Sequence, residues 1–326
     1  MLHEVRSWLS RRTSRTEDWE LDRMVEQKAG RRVGLVLPAR DEAATIGRIV
    51  AVVRETLVDR TGLVDEVLVV DSRSQDATAE VAAAAGATVV GQDSVMSGLA
   101  PAHGKGEALW KGLAASTGDL VAAIDADLRD VEPGFVTGLL GPLLDDPGVA
   151  FVKGFYHRPL IGDGTVDVDG GGRVSELVAR PLLNLAWPQL AGFVQPLAGE
   201  FAARRDLLEA IPFVTGYGVE LGMLVDVLDR VGLDAMAQVD LGVRVHRHHD
   251  LQALGRMSAQ IQLAASARLA RQGILTRVPE ETTLVQFRRP STPGPAGLDR
   301  EVIETDVAVE ERPPLREVLA HYRPVA

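Results

Sequence analysis

Residues 120–124 read Leu-Val-Ala-Ala-Ile, five apolar positions without a polar break, and Asp125-Ala-Asp127 closes the run. A strand with no polar alternation has both faces buried, the habit of a mostly parallel sheet covered on each side by helices. That restricts the chain to an α/β architecture. Ligands of such sheets bind outside the carboxyl ends of the strands, so two carboxylates one residue apart there stand at the rim of a cleft. Mg²⁺ and Mn²⁺ suit that position, since one or two carboxylates hold them while substrate phosphates complete the shell. A plain acidic turn is the alternative, and a bare Asp-x-Asp does not choose between the two.

The segments before it have the same form. Residues 33–37 read as a strand stopped by Pro38, and Pro38-Ala-Arg-Asp41-Glu42 turns into an apolar-periodic helix over 43–57. Residues 64–70 form a second strand ending at Asp71, which could accept from a base or ribose. A helix over 77–85 follows, capped by Asp76, and then a short strand over 87–90. This β-α-β-α-β order is that of a doubly wound half-domain, Rossmann-like but without the Gly-x-Gly-x-x-Gly fingerprint. After a loop over 91–103, His103-Gly-Lys105-Gly-Glu107 opens a helix to about 116. A lysine between glycines at a helix start offers a phosphate positive charge, exposed N–H groups and the helix dipole. The Walker A spacing is missing, and a solvated surface lysine fits the residues equally well.

Beyond the acidic pair, a helix is expected over 133–144 and a strand over 150–156. Gly170-Gly-Gly172 then precedes a helix running to about 187 that carries Arg173 and Ser175 near its start. Glycines, an arginine and a helix N-terminus together suit a phosphate or carboxylate, although a connector with an ordinary surface arginine reads the same way. Residues 195–204 form a further segment, with a short helix over 205–210. Glu220 lies in the first turn of an apolar helix reaching about 231, where it can accept from sugar hydroxyls or simply favour the helix dipole. Residues 235–245 are extended and end in His246-Arg-His248-His249. Imidazole ligates first-row divalent ions, but the spacing is not that of a zinc site. A helix over 251–272 follows. The chain divides into an N-terminal arm (1–32), a nucleotide-binding half (33–157), an acceptor-binding half with C-terminal helices (158–272) and a Pro-rich tail (273–326). The arm carries no visible chemistry and reads as a surface helix or a partly ordered arm, and the last residues of the tail are expected to be peripheral.

Composition narrows the class. A net charge of -11 argues against a nucleic-acid surface, and an anionic substrate would need a local basic pocket. No cysteine is present, which excludes disulfide scaffolds, thiolate metal sites and cysteine nucleophiles and fits a reducing compartment. No apolar run has the length of a membrane span, and none follows Arg11-Arg12 as a secretion signal requires, so a cytoplasmic chain is expected.

Four motifs, Pro-Ala-Arg-Asp-Glu (38–42), Asp-Ser-Arg-Ser (71–74), Gly-Lys-Gly-Glu-Ala-Leu-Trp (104–110) and Asp-Ala-Asp (125–127), resemble those of retaining GT-A glycosyltransferases. The stretch Gly-Gly-Gly-Arg-Val-Ser-Glu-Leu-Val-Ala-Arg-Pro-Leu-Leu (170–183) is similar to that of actinobacterial glucosyl-3-phosphoglycerate synthases. So are Gln-Pro-Leu-Ala-Gly-Glu (195–200), Gly-Tyr-Gly-Val-Glu (216–220) and Leu-Gly-Val-Arg-Val-His-Arg (241–247). The resemblance covers about residues 33–272. It implies a GT-A fold with an extra C-terminal helical segment. It also implies transfer of glucose from UDP-glucose to the 2-hydroxyl of 3-phosphoglycerate with retention of configuration, Mg²⁺ or Mn²⁺ as cofactor, and a homodimer.

Carried over by position, Pro38, Ala39, Arg40, Glu42 and Ser72 would hold uridine. Lys105 would meet the donor, and Asp125 the ribose or metal shell. Asp127 and His246 would ligate the metal, while Leu197 and Glu220 contact the glucose. Gly172, Arg173, Ser175 and His248 would hold the phosphoglycerate. Catalysis is expected of Lys105, Asp127, Arg173 and Glu220. The chain departs from the family where Arg40-Asp41-Glu42 stands for a frequent Leu-Asn-Glu and Arg73 for a common Gly. It departs again with Ser175 for Thr and His248 for Asn. Rival readings are a GDP-mannose-dependent mannosyl-3-phosphoglycerate synthase or dual-donor enzyme, a sugar transferase acting on a polyprenyl phosphate, and a nucleotide-sugar sensor.

Overall fold

Strand formation follows the unbroken apolar runs. In the computed structural model, residues 1–157, 160–162, 165–167, 172–244, 250–288 and 300–322 are described. The strands are β1 (Thr13–Arg15), β2 (Val33–Ala39), β3 (Glu66–Asp71), β4 (Thr88–Gly91), β5 (Leu120–Ala123) and β6 (Phe151–His157). After these come β7 (Leu160–Gly162), β8 (Thr165–Asp167), β9 (Phe201–Arg204), β10 (Phe213–Val214), β11 (Met236–Val243), β12 (Thr283–Arg288), β13 (Glu301–Asp306) and β14 (Glu311–Arg312). Eight of them make one sheet in the order β1-β11-β6-β9-β5-β2-β3-β4. All neighbours are parallel except β9, which runs antiparallel to both β5 and β6.

The order explains where a ligand can sit. From β2 the chain moves outward to β3 and β4, then returns to place β5 on the other side of β2. The carboxyl ends of β2 and β5 therefore diverge at a switch point, which opens a crevice in a doubly wound sheet. Both faces of the sheet are covered, as the apolar runs require. One face packs Ile46, Ile49, Leu139 and Leu140 from the helices Ile46–Val53 and Gly134–Asp145. The other packs Trp110, Leu183, Leu224 and Ile261 from Lys105–Ala115, Arg180–Ala186, Val219–Val231 and Leu251–Arg271.

Two expected helices are not uniform. The one over 43–57 becomes an α-helix at Ile46–Val53 and a wider π-wound turn at Arg54–Arg60. The one leading to 187 begins as a π-wound segment, Ser175–Ala179, before Arg180–Ala186. Pro181 has no N–H to give to the Leu177 carbonyl, so a regular α ladder cannot run through that point.

The two ends of the chain differ from expectation. The arm is part of the core: Trp8 is fully buried and its Nε1 donates to the Met236 carbonyl at 2.7 Å. β1 extends the sheet beyond β11, and Trp19 packs so closely on the helix Gly134–Asp145 that any side chain at Gly141 would collide with it. The tail also returns. β14 pairs with β10, Trp110 Nε1 donates to the Pro313 carbonyl at 3.0 Å, and Leu315 is buried. Arg312 donates from Nε and Nη2 to the two oxygens of buried Glu107, at 2.6 and 2.7 Å. A buried carboxylate must be paired, and its partner lies 205 positions away, beyond the reach of local pattern.

Candidate active site

The switch-point crevice is the mouth of a cavity of about 690 Å³. Its lining contains Pro38, Ala39, Arg40, Glu42, Ser72, Lys105, Asp125, Asp127, Gly172, Arg173, Ser175, Leu197 and Glu220. These are all the residues expected at the site that fall among the described ones. His246 and His248 lie outside the described residues.

On the nucleotide side, three turns are tied to one another by side chains. Asp41 N donates to Ser74 Oγ at 3.0 Å, Glu42 N to Thr78 Oγ1 at 2.8 Å, and Gln75 N to Asp41 Oδ1 at 2.7 Å. Thr45 Oγ1 donates to the Ala126 carbonyl at 2.7 Å, which fixes the acidic turn to the β2 turn across the crevice. Ser72 hydrogen-bonds Gln92. Two departures from the family pattern acquire a physical reason here. Asp41 and Arg73 both have positive φ, 57° and 63°. Asn and Asp tolerate that left-handed region better than other side chains, so Asp41 suits a position where an Asn would also fit. Arg73 stands where Gly would be unstrained, and it is held by a two-bond contact with Asp93 at 2.7 and 2.8 Å.

The centre of the cleft is a chain of alternating charges. Lys105 Nζ bonds Asp125 Oδ1 and lies 3.2 Å from Glu220 Oε1. Arg244 follows β11 and is only 5% exposed at its side chain. Its Nη1 donates to Asp125 Oδ2 at 3.1 Å, Glu200 Oε1 at 2.7 Å and the Tyr156 hydroxyl at 2.6 Å, and its Nη2 pairs with Asp127 Oδ1. Burial opposes the charges of Lys105, Asp125 and Arg244, and their partners outweigh it. Burial alone would lower the Lys105 pKa, but the Asp125, Glu220 and Glu200 carboxylates raise it. Burial alone would raise that of Asp125, but Lys105 and Arg244 hold it far below the usual carboxylate range.

Close backbone approach makes the arrangement possible. Gly104 has φ 101°, and side chains at Gly104 or Gly106 would strike the Thr215 and Val214 carbonyls. A side chain at Gly199 would strike Lys105 and Asp125. The glycines flanking Lys105 thus let the helix start press against β10 and aim its lysine into the cleft.

The two carboxylates of the acidic turn differ in what they can hold. Both Asp125 oxygens are engaged by cations. Asp127 is 42% exposed, with Oδ1 on Arg244, and stands at the rim. Among the described residues no cluster of three or more His, Asp or Glu could hold a metal ion. The residues present fit a hard divalent ion that takes one protein carboxylate and draws its other oxygens from a diphosphate and water.

Across the cleft, Gly172 and Arg173 lead into the segment Ser175–Ala179, with Arg173 exposed and Ser175 buried. Leu197, Gly216, Tyr217 and Glu220 continue this wall, and Leu254, Met257, Gln260 and Ile261 of the helix Leu251–Arg271 close it. Arg244, His103, Tyr217 and Gln260 also line the cleft, although sequence reasoning assigns them no role there, and so does Arg73, a departure from the family pattern that could alter nucleotide preference. Arg244 carries only a weak signal, a lone arginine between valines at the end of an extended apolar run.

Residues 35–187 match the model of glycosyl transferase family 2. Glucosyl-3-phosphoglycerate synthase from Mycolicibacterium smegmatis is 50% identical over 254 residues, which cover 78% of this chain and 83% of the relative. A structure of mannosyl-3-phosphoglycerate synthase from Rubrobacter xylanophilus superimposes with a TM-score of 0.86 at 44% identity, covering 96% of this chain and 98% of the other. Glucosyl-3-phosphoglycerate synthase from Mycobacterium tuberculosis, in complex with Mn²⁺, UDP and glucosyl-3-phosphoglycerate, superimposes with a TM-score of 0.78 at 44% identity, covering 92% and 96%. The same enzyme with Mn²⁺, UDP-glucose and phosphoglyceric acid gives 0.78 and 44%, covering 92% and 95%.

Proposed function

The chain belongs to the glucosyl-3-phosphoglycerate synthase family within the family 2 glycosyl transferases, and from that premise we propose that it transfers glucose from UDP-glucose to the 2-hydroxyl of 3-phosphoglycerate with retention at the anomeric carbon. The observation that carries this is the likeness, over nine-tenths of the chain, to an enzyme holding Mn²⁺, UDP-glucose and phosphoglyceric acid, joined to a cleft whose two walls offer matching chemistry.

In this reading the uridine lies against Pro38, Ala39, Arg40, Glu42 and Ser72. The diphosphate meets Lys105, whose charge three carboxylates keep in place at a helix start. Asp127, together with His246, would hold Mg²⁺ or Mn²⁺, which when bound neutralises charge developing on the leaving diphosphate. Asp125 sits between Lys105 and Arg244 and keeps both cations aimed at the rim. Leu197 and Glu220 orient the glucose. Arg173, Gly172, Ser175 and His248 place the doubly anionic acceptor. The acceptor's 2-oxygen bonds the anomeric carbon as the bond to the leaving phosphate breaks on the same face, and the departing phosphate oxygen takes the hydroxyl proton. Glu220, 3.2 Å from Lys105 and assigned to the sugar, is a positioning group here and not a covalent nucleophile.

A second reading has its own observation. The likeness to a mannosyl-3-phosphoglycerate synthase, TM-score 0.86, supports GDP-mannose as donor or a dual-donor enzyme with the same acceptor. The exposed Val285, Phe287 and Val302 on the β12–β13 hairpin support a homodimer, and the cysteine-free composition suits the cytoplasm. The test incubates the protein with Mg²⁺ and 3-phosphoglycerate and, in parallel, UDP-glucose, GDP-glucose or GDP-mannose, with products identified by NMR. An α-linked glucosyl-3-phosphoglycerate from UDP-glucose is expected. Product chiefly from GDP-mannose would move the chain to the mannosyl reading. Tight donor binding without any product would favour a sensor.

A further inference from the structure

Among the described residues, Gln260 is the one polar side chain that the helix Leu251–Arg271 sets on the cleft; the others are Leu254, Met257 and Ile261. Close backbone approach fixes its place. Gln260, Ala264 and Arg268 recur every four residues, so they share one stripe of that helix. The stripe runs along three glycines: a side chain at Gly216 would strike the Gln260 amide, one at Gly218 would strike Ala264, and one at Gly222 would strike Arg268. Ala264 and Arg268 are buried, whereas Gln260, at the open end of the stripe, is half-buried and meets the cleft.

One end of this amide is committed. Tyr217 N donates to Gln260 Oε1 at 3.0 Å. A backbone N–H can use only the oxygen, so the amide has a set orientation and Nε2 takes the other position. Nε2 donates to no described residue, and it is not sealed from solvent. A donor held at one end and free at the other therefore stands on the wall of the cleft.

Its neighbours indicate what it serves. Tyr217 lies three residues before Glu220, on the turn that opens the helix Val219–Val231. Leu197 and Glu220, the residues assigned to the glucose, offer it an apolar contact and a carboxylate acceptor. A sugar hydroxyl both donates and accepts, so those two leave its oxygen unserved. The anionic groups of the phosphoglycerate have Arg173 and Ser175 to meet them already. We infer that Gln260 is a sugar-binding residue, whose Nε2 donates to a hydroxyl oxygen of the transferred hexose while its Oε1 stays on Tyr217 N. This rests on the proposed place of the glucose beside Glu220.

The test measures the Kd of UDP-glucose and of UDP by calorimetry with Mg²⁺, and the KM of each substrate, for wild type, Gln260→Leu and Gln260→Glu, with the Tm of each. The glutamate keeps an oxygen for Tyr217 N and loses the N–H donors; the leucine loses both. Both variants are expected to bind UDP-glucose about fivefold to tenfold more weakly, with the Kd of UDP within about twofold of wild type. If Gln260→Leu does not fold, Gln260→Glu still reads the ratio. Wild-type affinity for UDP-glucose in Gln260→Glu would overturn the inference, since the side chain would then serve Tyr217 alone. A loss shared equally by UDP and UDP-glucose would overturn it too, as would a loss confined to the 3-phosphoglycerate KM, which would give the amide to the acceptor. A wild type that turns over GDP-mannose alone would overturn the donor reading and not this one, and the same ratio is then read for GDP-mannose against GDP.

Discussion

The two walls of the cleft are held in place by different means. The nucleotide wall grows from the carboxyl ends of β2, β3 and β5, three neighbouring parallel strands, and its turns are cross-tied through Asp41, Thr45, Ser74 and Thr78. The described residues of the acceptor wall follow no carboxyl end of a strand in the eight-stranded sheet. It is assembled from 172–175, 197–199, 216–220 and one face of the helix Leu251–Arg271, with Gln260 Oε1 accepting from Tyr217 N at 3.0 Å to join two of these. A sheet ladder fixes backbone positions before any ligand arrives, whereas side-chain contacts between loops leave each piece separately replaceable. Substitutions on the nucleotide wall should therefore damage the whole reaction, and those on the acceptor wall should damage one substrate's binding.

The largest effect is expected where the nucleotide wall meets the leaving group. Asp127→Ala should reduce transfer about 10³-fold, and EDTA should do the same to wild type, since the rim carboxylate and the ion act on one developing charge. Initial rates with Mg²⁺, Mn²⁺ and EDTA measure it. Full activity of Asp127→Ala in EDTA would break the metal assignment. Arg244→Met tests the wall's rigidity instead of its chemistry. It strands Glu200, which is completely buried, and separates Asp125 from Asp127. Removing one partner of such a buried network costs about 3–5 kcal/mol, readable as a shift in urea midpoint at constant m. A loss below about 1 kcal/mol would show that the wall does not depend on this cation.

The acceptor wall should respond in only one substrate. Arg173→Ala is expected to weaken the apparent affinity for the phosphoglycerate acceptor, read as its KM, by about 10–100-fold, the loss of a charge-assisted contact to an anion. The Kd of UDP, by calorimetry, should stay within about twofold of wild type. Equal losses for both would mean that the walls are coupled and the comparison fails.

The same contrast governs what the sequence can show. The nucleotide wall is legible because an apolar run of five residues has one economical use, and the turn after it must lie at the cleft. That geometry makes Lys105 between two glycines, Asp125 and Asp127 candidates, and the family resemblance chooses between their functional and plain readings. On the acceptor wall, the glycines with Arg173 and Ser175 mark no more than a place for an anion, while Leu197 and the identity of the acceptor come from family resemblance, since no period marks a loop. Arg244 lies inside the quoted stretch 241–247, but neither route assigns it a role. It reaches Asp125 across 119 positions, Asp127 across 117 and Glu200 across 44, and nothing local records such pairing. β9 shows in the sequence only as part of a longer segment, because four residues are too few to display alternation. The arm does carry a signal, Trp8 and Trp19 among charges, but its value as an edge strand and a core anchor depends on β11 and the helix Gly134–Asp145, far along the chain.

The smallest expected effect probes how much of the nucleotide wall is set by backbone and how much by side chain. Arg73 occupies a left-handed position, φ 63°, at a strain cost of about 1 kcal/mol that glycine would not incur. Against this stands its two-bond contact with Asp93, and because Asp93 is about half exposed, solvent screening limits that contact to about 1 kcal/mol or less. Arg73→Gly should thus leave stability within about 1 kcal/mol of wild type, measured by urea unfolding. The backbone of 71–74 is held independently by Ser74 N on Asp71 Oδ2 at 3.3 Å and by Ser72 N on the Ala39 carbonyl at 2.8 Å. Donor choice is the sharper readout. Arg73 lines the nucleotide side together with His103, so a changed ratio of UDP-glucose to GDP-mannose turnover at unchanged stability would make this side chain a selector of the base. An unchanged ratio would leave base selection to the parts of the wall that the strand ends fix directly.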